Sequence, residues 1–586
     1  MDRDIALMEA LLTEEDRREL LRIHEPRIVA VPPMDTRNSL CVMPDGEIRA
    51  YGLGDKSSFE DFSDTVYIAS RDCGLSWKKH RETRVVAGSC TRLKNGKYLS
   101  VVTASGSNTG LWLKKKGITC GAWAVISDSP DSVDFRLVRI ADEEIFDEYL
   151  PVELMSGRIA CTGQIYADNV NRCVFMWSDD GGESWGYTVL PDAPVHEMRW
   201  PHKGIRWQNR TSECTLPQKN DGTLWILART SQDDFWEFFS HDDGRTWEGP
   251  VKSVFHGTLT SPKTMKLSDG RLLCCFNDTQ ALPELDHEKQ TPYMSQDERN
   301  GRWEDVFTNR DANHAAISCD DGRTWQGFRE MALNVIRNDS DYRTKGPLND
   351  SRDKSVHQFQ MLELPMNRVL VSYGQNDIAR KLIIFDIDWL LETERHENFR
   401  QGLGNVSTQV YLKSVSGGFR MAGHCSWNRT NGAVLMPDPE ENFEEALFLS
   451  RIEDPRLFSA TQGVVWNFPA ATKGRVDVKM RVDGEPVTLS LTDRWYNPID
   501  EVLPYFAEAC LMICRDMLPE ERYSLVSVEW DCDEKRAVLY RDEKKLAEMP
   551  LRGKAECGLC YLILQGSYSV PDERGAWIKE LHMKAL

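Results

Sequence analysis

Polar and apolar positions alternate in short bursts along most of this chain. Each burst is an apolar run, a polar turn and a second apolar run, as in TRLKNGKYLSVV, CTLPQKNDGTLWILAR and PKTMKLSDGRLLCCF. A period of two argues for strands with one buried face. Asn-Gly or Asp-Gly between two such runs argues for a hairpin, because glycine takes the positive φ of the turn without steric cost. The turns fall at Asp45-Gly46, Asn95-Gly96, Ser156-Gly157, Asp221-Gly222, Asp269-Gly270 and, without glycine, Met366-Asn367, which makes six hairpins. Helical periodicity is confined to residues 1–25. There Leu11, Leu12, Leu20 and Leu21 interleave with charge and predict an amphipathic helix, and Thr13-Glu14-Glu15-Asp16 has the form of a second helix start.

A second repeat sits beyond the hairpins. The pattern S-x-D-x-G-x-[ST]-W occurs at residues 70–77, 178–185, 240–247 and 318–325, with a decayed copy at Ser127-Asp128-Ser129. Its chemistry is that of a tight turn: Ser and Asp bond nearby backbone groups, Gly takes a conformation other residues resist, and Trp packs beneath. Hairpin plus box forms one repeating four-stranded unit, and six of them predict a six-bladed β-propeller over residues 26–400. Residues 401–586 change character. VVWNF, GRVDVKMRV, VTLSLTD, LVSVEWD, RAVLYRD, CGLCYLILQ and AWIKELHM read as strands of a two-sheet jelly roll, a β-sandwich similar to the concanavalin or laminin-G kind. The expected fold class is therefore all-β, with a short helical segment in front.

Composition narrows the function. A formal charge of -20 over 586 residues argues against a general nucleic-acid or anionic-membrane binder. A small anionic ligand in a local basic pocket stays compatible with it. No stretch approaches the length of a membrane span, and the first residues lack the apolar core of a signal peptide, so the expected location is cytoplasmic. The sixteen cysteines show no paired framework, and Cys274-Cys275 in an apolar run suits reduced, buried thiols. No calcium-loop or zinc-ligand spacing stands out, so neither metal nor cofactor is expected.

The four boxes and the strands between them resemble the sialidases (neuraminidases) and their Asp-box, BNR-repeat relatives over roughly residues 1–390. The boxes speak for fold; activity must be carried residue by residue. The resemblance implies three arginines around a sugar carboxylate, a task suited to a permanently charged, planar guanidinium. Arg37 in TRNSLCVMPDG matches the first, with R-N-S where the family usually has R-I-P. Glu213 and Arg229 flank the Asp221-Gly222 turn in SECTLPQKNDGTLWILART and match the family's glutamate and second arginine. Arg310, before the box at Ser318, matches the third. Asp61, in an acidic stretch with Glu60 and Asp64, matches the general acid, which has to be held protonated near neutral pH.

The family's nucleophile is a tyrosine activated by the glutamate. Here Gln358 stands near that position, beside His357, and the nearest upstream tyrosine is Tyr342. The family's closing glutamate is replaced by Gly374 or Gln375. Three outcomes stay open: Tyr342 swings in, His357 and an activated water give an inverting enzyme, or sialosides are not hydrolysed. The stretch HEMRWPHKGIRWQNRTSE, basic and aromatic, suits an acidic sugar.

Each residue has a bland counterpart. A lone arginine in a strand protein is usually a surface residue, an acidic loop is usually solvated, and a histidine near an apolar strand is usually structural. Arginines at three matching repeat positions weigh against the first of these. The leading expectation is an exo-glycosidase that removes a terminal acidic sugar, sialic acid first, from an oligosaccharide. Another acidic sugar, uronic or ulosonic, is the second reading, and a non-catalytic carbohydrate-binding propeller the third. The C-terminal domain is expected to serve packing or homo-oligomer formation, with carbohydrate binding as the alternative.

Overall fold

The computed structural model of the protein describes residues 2–586 apart from 33–38, 54–64, 83–89, 104–112, 114–116, 133, 147–149, 169, 198, 202–208, 258, 282–308, 334–354, 375–378, 416–426, 458, 520 and 567–569. Arg37, Asp61, Tyr342 and Gln375 lie outside the described residues. Two short helices come first, Asp2–Glu9 and Glu14–Arg22. The second opens with a reciprocal cap: the Asp16 N–H donates to Thr13 Oγ1 at 3.2 Å, and the Thr13 N–H donates to the Asp16 carboxylate at 2.9 Å. Leu11 and Leu12 fall in the turn between the helices, so of the expected apolar stripe only Leu20 and Leu21 are helical, in the second helix.

From Arg27 onward strands dominate. Among the described residues there are six four-stranded antiparallel sheets, called I to VI by the order of their hairpins. Their first two strands are the predicted hairpins: Ser39–Val42 with Ile48–Leu53, Thr91–Arg92 with Tyr98–Thr103, Val152–Glu153 with Ile159–Ala167, Ser212–Thr215 with Leu224–Arg229, Lys263–Lys266 with Leu272–Phe276, and Gln360–Leu364 with Arg368–Tyr373. Sheet VI takes its outer strand, Arg27–Ala30, from the front of the chain, where it pairs with Lys381–Asp386. Neighbouring sheets share apolar clusters. Cys41 and Tyr67 meet Tyr98, Leu99 meets Cys161, Phe175 meets Phe238, Trp225 meets Cys274, and Leu273 meets Val369. Ile384 of sheet VI then meets Leu40 of sheet I. This all-β organisation is consistent with a propeller followed by a sandwich.

The four boxes have the geometry their composition demands. In each, the serine hydroxyl accepts the glycine N–H four residues on, at 2.7 Å for Ser70 and 2.8 Å for Ser178, Ser240 and Ser318. The aspartate accepts the N–H of the following Ser or Thr, at 2.8 to 2.9 Å. Gly244 takes φ +83°, and an added Cβ there would meet the Phe175 ring at 2.3 Å.

Among the described residues the C-terminal region holds one eight-stranded and one five-stranded sheet around a shared apolar core that includes Trp466, Phe468, Val478, Leu489 and Ile578, and a two-stranded sheet of Val410–Val415 with Trp427–Thr430. All seven runs expected as strands are strands. The strand Asp572–Ala585 is central to the larger sheet, pairing with Lys473–Val482, Glu445–Arg451 and Glu394–Glu397. Lys544–Pro550 escapes a sequence reading because it is a charged, largely exposed edge.

Polar clasps join this region to sheets IV and V. His256, at the end of the last strand of sheet IV, lies 2.7 Å from Asp234 and 3.2 Å from Asp493, and Arg494 lies 2.9 Å from Asp493. Trp495 pairs in parallel with Thr279, its N–H donating to the Asp278 carbonyl at 2.8 Å. Arg429 donates to Asp311 at 2.5 Å, both side chains fully buried. Tyr561 donates to Glu330 at 2.8 Å and bonds His314 on its other side.

The box turns and the clasp can each be probed through stability. Gly244→Ala should cost about 2–4 kcal/mol, combining a disfavoured φ with overpacking against Phe175, whereas Gly222→Ala, with open space around it, should lose only the φ contribution of about 1–2 kcal/mol. Urea unfolding of both variants checks this. The clasp should respond to pH. Burial and Arg494 oppose the His256 imidazolium, but Asp493 and Asp234 outweigh them and raise its pKa from 6.5 to about 9. The clasp's contribution is then complete below the unfolded pKa and is lost as pH rises through about 9. Wild type minus His256→Gln should therefore show a stability difference at pH 6 that vanishes by pH 10.

Candidate functional site

The first strand of each sheet begins, and its second ends, at the same end of the sheet, so each hairpin brings its two flanking segments together. Sheet IV contributes Glu213 and Arg229. Ser212 is in register with Arg229 and Thr215 with Leu227, so three steps on one strand face two on the other. The extra residue is a bulge, and Glu213 sits in it with φ 43°. A non-glycine residue in this conformation costs free energy that the surroundings must overcome, and such strain gathers at functional sites. The bulge aims the carboxylate at Arg229, whose Nη1 donates to Glu213 Oε2 at 2.6 Å. Both residues are buried, 7% and 5% exposed. The backbone is tied down from sheet III, where Thr162 Oγ1 donates to the Cys214 carbonyl at 2.6 Å.

Sheet V adds a residue that the sequence reading missed. Lys263 opens the strand next to Glu213's, and Thr264 beside it bonds Thr215 at 2.6 Å. Desolvation drives the Lys263 ammonium down to a pKa of about 7, against the opposing pull of Cys161 and Glu213. The only signal in the sequence is its place, at the start of the apolar strand before the Asp269-Gly270 turn, where lysine is easily taken for solvated charge.

Arg310 and His357 form a second pair at the same end of sheets V and VI. Arg310 Nη1 donates to His357 Nε2 at 2.8 Å, and Nη2 donates to the Leu259 carbonyl at 2.6 Å. Each is 1% exposed. The pairing fixes the imidazole as an acceptor at Nε2. Backbone bonds hold both residues: the Val356 N–H donates to the Arg310 carbonyl at 2.8 Å, and the Gly374 N–H donates to the His357 carbonyl at 2.6 Å. Gln358, next in line, has φ 62°. Sheet VI is tied to sheet I just beyond, where the Leu40 N–H donates to Gln360 Oε1 at 2.6 Å.

The structure thus brings Glu213 together with Arg229, and Arg310 together with His357. Arg37, Asp61 and Tyr342 belong to segments outside the described residues. In the stretch from His196 to Arg210, Trp200 is exposed and stacks on Phe506 of the C-terminal region at a centroid distance of 5.6 Å. Among the described residues no group of His, Cys, Asp and Glu has the geometry to hold a metal ion. Nor is any helix there long and apolar enough to cross a membrane.

Residues 148–327 match the BNR repeat-like domain. This span holds three of the four intact boxes and the Glu213–Arg229 pair. No curated protein matches the sequence. Among solved structures, the chain is similar to a Trypanosoma rangeli sialidase in complex with sialic acid, at 13% identity over 94% of this chain and 91% of that one, with a TM-score of 0.36. It is also similar to a Penicillium chrysogenum alpha-L-arabinanase complexed with arabinobiose, at 12% identity over 62% and 99% of the two chains, TM-score 0.36. An endo-1,4-beta-xylanase from Bacteroides thetaiotaomicron gives 14% identity over 42% and 86%, TM-score 0.30. Residue roles accordingly rest on this chain's own geometry.

The site's electrostatics carry a direct test. Glu213 holds the Lys263 ammonium up against desolvation. Glu213→Gln should therefore push the Lys263 pKa below its value of about 7. Titration of reductively 13C-methylated lysines by NMR reads it, with Lys263→Arg identifying the resonance.

Proposed function

We propose that the chain is an exo-acting glycoside hydrolase of sialidase type, that its six sheets are the blades of one closed propeller, and that a terminal acidic sugar binds where their first strands begin. The observation that carries this reading is the buried Glu213–Arg229 pair, held at 2.6 Å by a strained bulge. Strained backbone gathers at functional sites, and a carboxylate paired with a guanidinium supplies the groups needed to bind a carboxylate and move a proton.

In this reading Arg37, Arg229 and Arg310 hold the sugar carboxylate. Asp61 protonates the leaving oxygen. Glu213 activates the nucleophile, and Tyr342 is the phenol available for that role. His357 accepts a hydrogen bond from Arg310, which supports a role in holding that arginine; activation of a water by His357 is the alternative. Lys263 adds a titratable cation beside Glu213. The substrate is an acidic oligosaccharide, sialic acid being the first choice of terminal sugar, and the enzyme acts on it in the cytoplasm. A uronic or ulosonic acid is the second choice, favoured by Gln358 standing where the family has its tyrosine.

The test is turnover of a fluorogenic sialoside and a fluorogenic uronide by the full chain. Glu213→Gln should lower kcat roughly a hundredfold or more, since positioned acid–base groups contribute on that scale. Arg229→Ala should act mainly on KM, because the carboxylate is bound in ground and transition states alike. Turnover of the uronide alone would select the second sugar. Absence of turnover with every acidic glycoside would sink the enzyme reading.

A further inference from the structure

A cavity of about 520 Å³ lies between sheets IV and V and the C-terminal region. Its volume is in the range of roughly 300–1,000 Å³ typical of small-molecule sites. One wall is the turn that follows Arg229. Gln232 is three residues beyond that arginine, a separation the chain can stretch to about 11 Å at most. The opposite wall comes from the C-terminal region, through Arg494, Tyr496 and Phe506. Trp200 and Trp236 complete an aromatic lining.

The chemistry of the walls selects a class of ligand. Four carboxylates line the cavity, Glu197, Asp233, Asp234 and Asp500, against two arginines, Arg199 and Arg494. Arg494 is already committed to Asp493 at 2.9 Å. Asp234 is paired as well, with His256 at 2.7 Å and Lys252 at 2.9 Å, and Glu197 lies 3.5 Å from Arg199. The lining thus offers no excess of cationic groups to an anionic sugar, while its carboxylates accept from hydroxyl groups and its amides donate to them. Aromatic side chains supply flat apolar faces of the kind that sugar rings cover. Trp236 carries a buried indole N–H with no hydrogen-bond partner among the described residues, a donor that a bound hydroxyl would satisfy. Gln232 is held in place, its Nε2 donating to the Pro194 carbonyl at 2.9 Å, which fixes the direction of its amide.

We infer that this cavity is a binding site for the neutral sugar units of an oligosaccharide, built jointly by the propeller rim and the C-terminal region. Its place as the leaving-group side of the substrate rests on the glycosidase reading above; its capacity to bind a neutral sugar does not. The acidic sugar takes the arginine-rich position, and the neutral units that follow it run outward along the Thr230–Asp233 turn into the cavity. The clasp of Asp234, His256, Asp493 and Arg494 then has a second effect, because it holds the two walls at a fixed spacing.

The experiment has two arms, both with the full chain. In the first, lactose and cellobiose are titrated separately, with tryptophan fluorescence and saturation-transfer NMR as readouts. At least one should bind saturably, and N-acetylneuraminic acid should not compete. Trp236→Phe keeps the ring and removes the N–H, and Gln232→Ala removes the amide. Each should weaken binding about tenfold, the value of one hydrogen bond. In the second arm, kcat/KM is compared for an aryl glycoside of the acidic sugar and for the same sugar linked to lactose. The variants should leave the aryl glycoside unchanged and slow the lactose-linked substrate. No saturable binding of either disaccharide, binding equal in both variants, or competition by the acidic sugar would each overturn the inference. Binding without turnover of any glycoside would leave this site standing and remove the glycosidase reading. Turnover without disaccharide binding would do the reverse.

Discussion

A charge removed from water needs a counter-charge, and that requirement organises the part of this molecule where chemistry is expected. Glu213 and Arg229 are both buried, and each makes the other's burial tolerable. To bring them together the chain accepts a bulge and an unfavourable φ. The same rule explains the neighbours. Arg310 has His357 and the Leu259 carbonyl, and Lys263 lowers its proton affinity instead of carrying a full charge. The apolar clusters between sheets set where these groups sit. The pairings decide which charges survive there.

The C-terminal region belongs to the same scheme. It touches sheets IV and V through a shared apolar cluster that includes Phe255, Phe276, Phe328, Val465 and Ile563, and through buried polar contacts: Arg429 with Asp311, Tyr561 with Glu330 and His314, and the clasp around His256. The polar contacts add less stability than an apolar interface of equal size, but they fix geometry, because an ion pair or a hydrogen bond tolerates little displacement. Burial also holds the Asp278 carboxyl up at about 8, next to the Trp495 pairing. The second unit is docked in one orientation, with Arg494 and Phe506 presented beside the turn that follows Arg229.

Much of this was legible in the sequence, for identifiable reasons. A hairpin and an Asp-box are local: each is closed by hydrogen bonds within one short stretch of chain around a single turn, so pattern and geometry coincide. That is why all six hairpins and all four intact boxes could be read off, and why Glu213 and Arg229, flanking one turn, could be matched to each other. Lys263 was missed because its environment comes from a different sheet, and nothing in SPKTMK signals burial. The bond between Arg310 and His357 was hidden for the same reason, spanning 47 residues. Arg494 was invisible as a cavity residue, since it lies in a turn of one unit and faces a turn of the other. The edge strand Lys544–Pro550 lacked an apolar face to betray it.

The pairing of Arg27–Ala30 with Lys381–Asp386 sets an order for biosynthesis. A strand made near the beginning must wait for one made more than 350 residues later before its backbone groups are satisfied. The sandwich repeats the pattern, since Asp572–Ala585 fills the middle of a sheet whose other members precede it. A nascent chain emerging from the ribosome therefore displays unpaired strand edges for most of its synthesis, first on the unfinished sheet VI and then on the unfinished sandwich. Both sheets are completed only when a late strand arrives. A chain cut short within either unit stays open at an edge, in a form that chaperones and proteases can recognise.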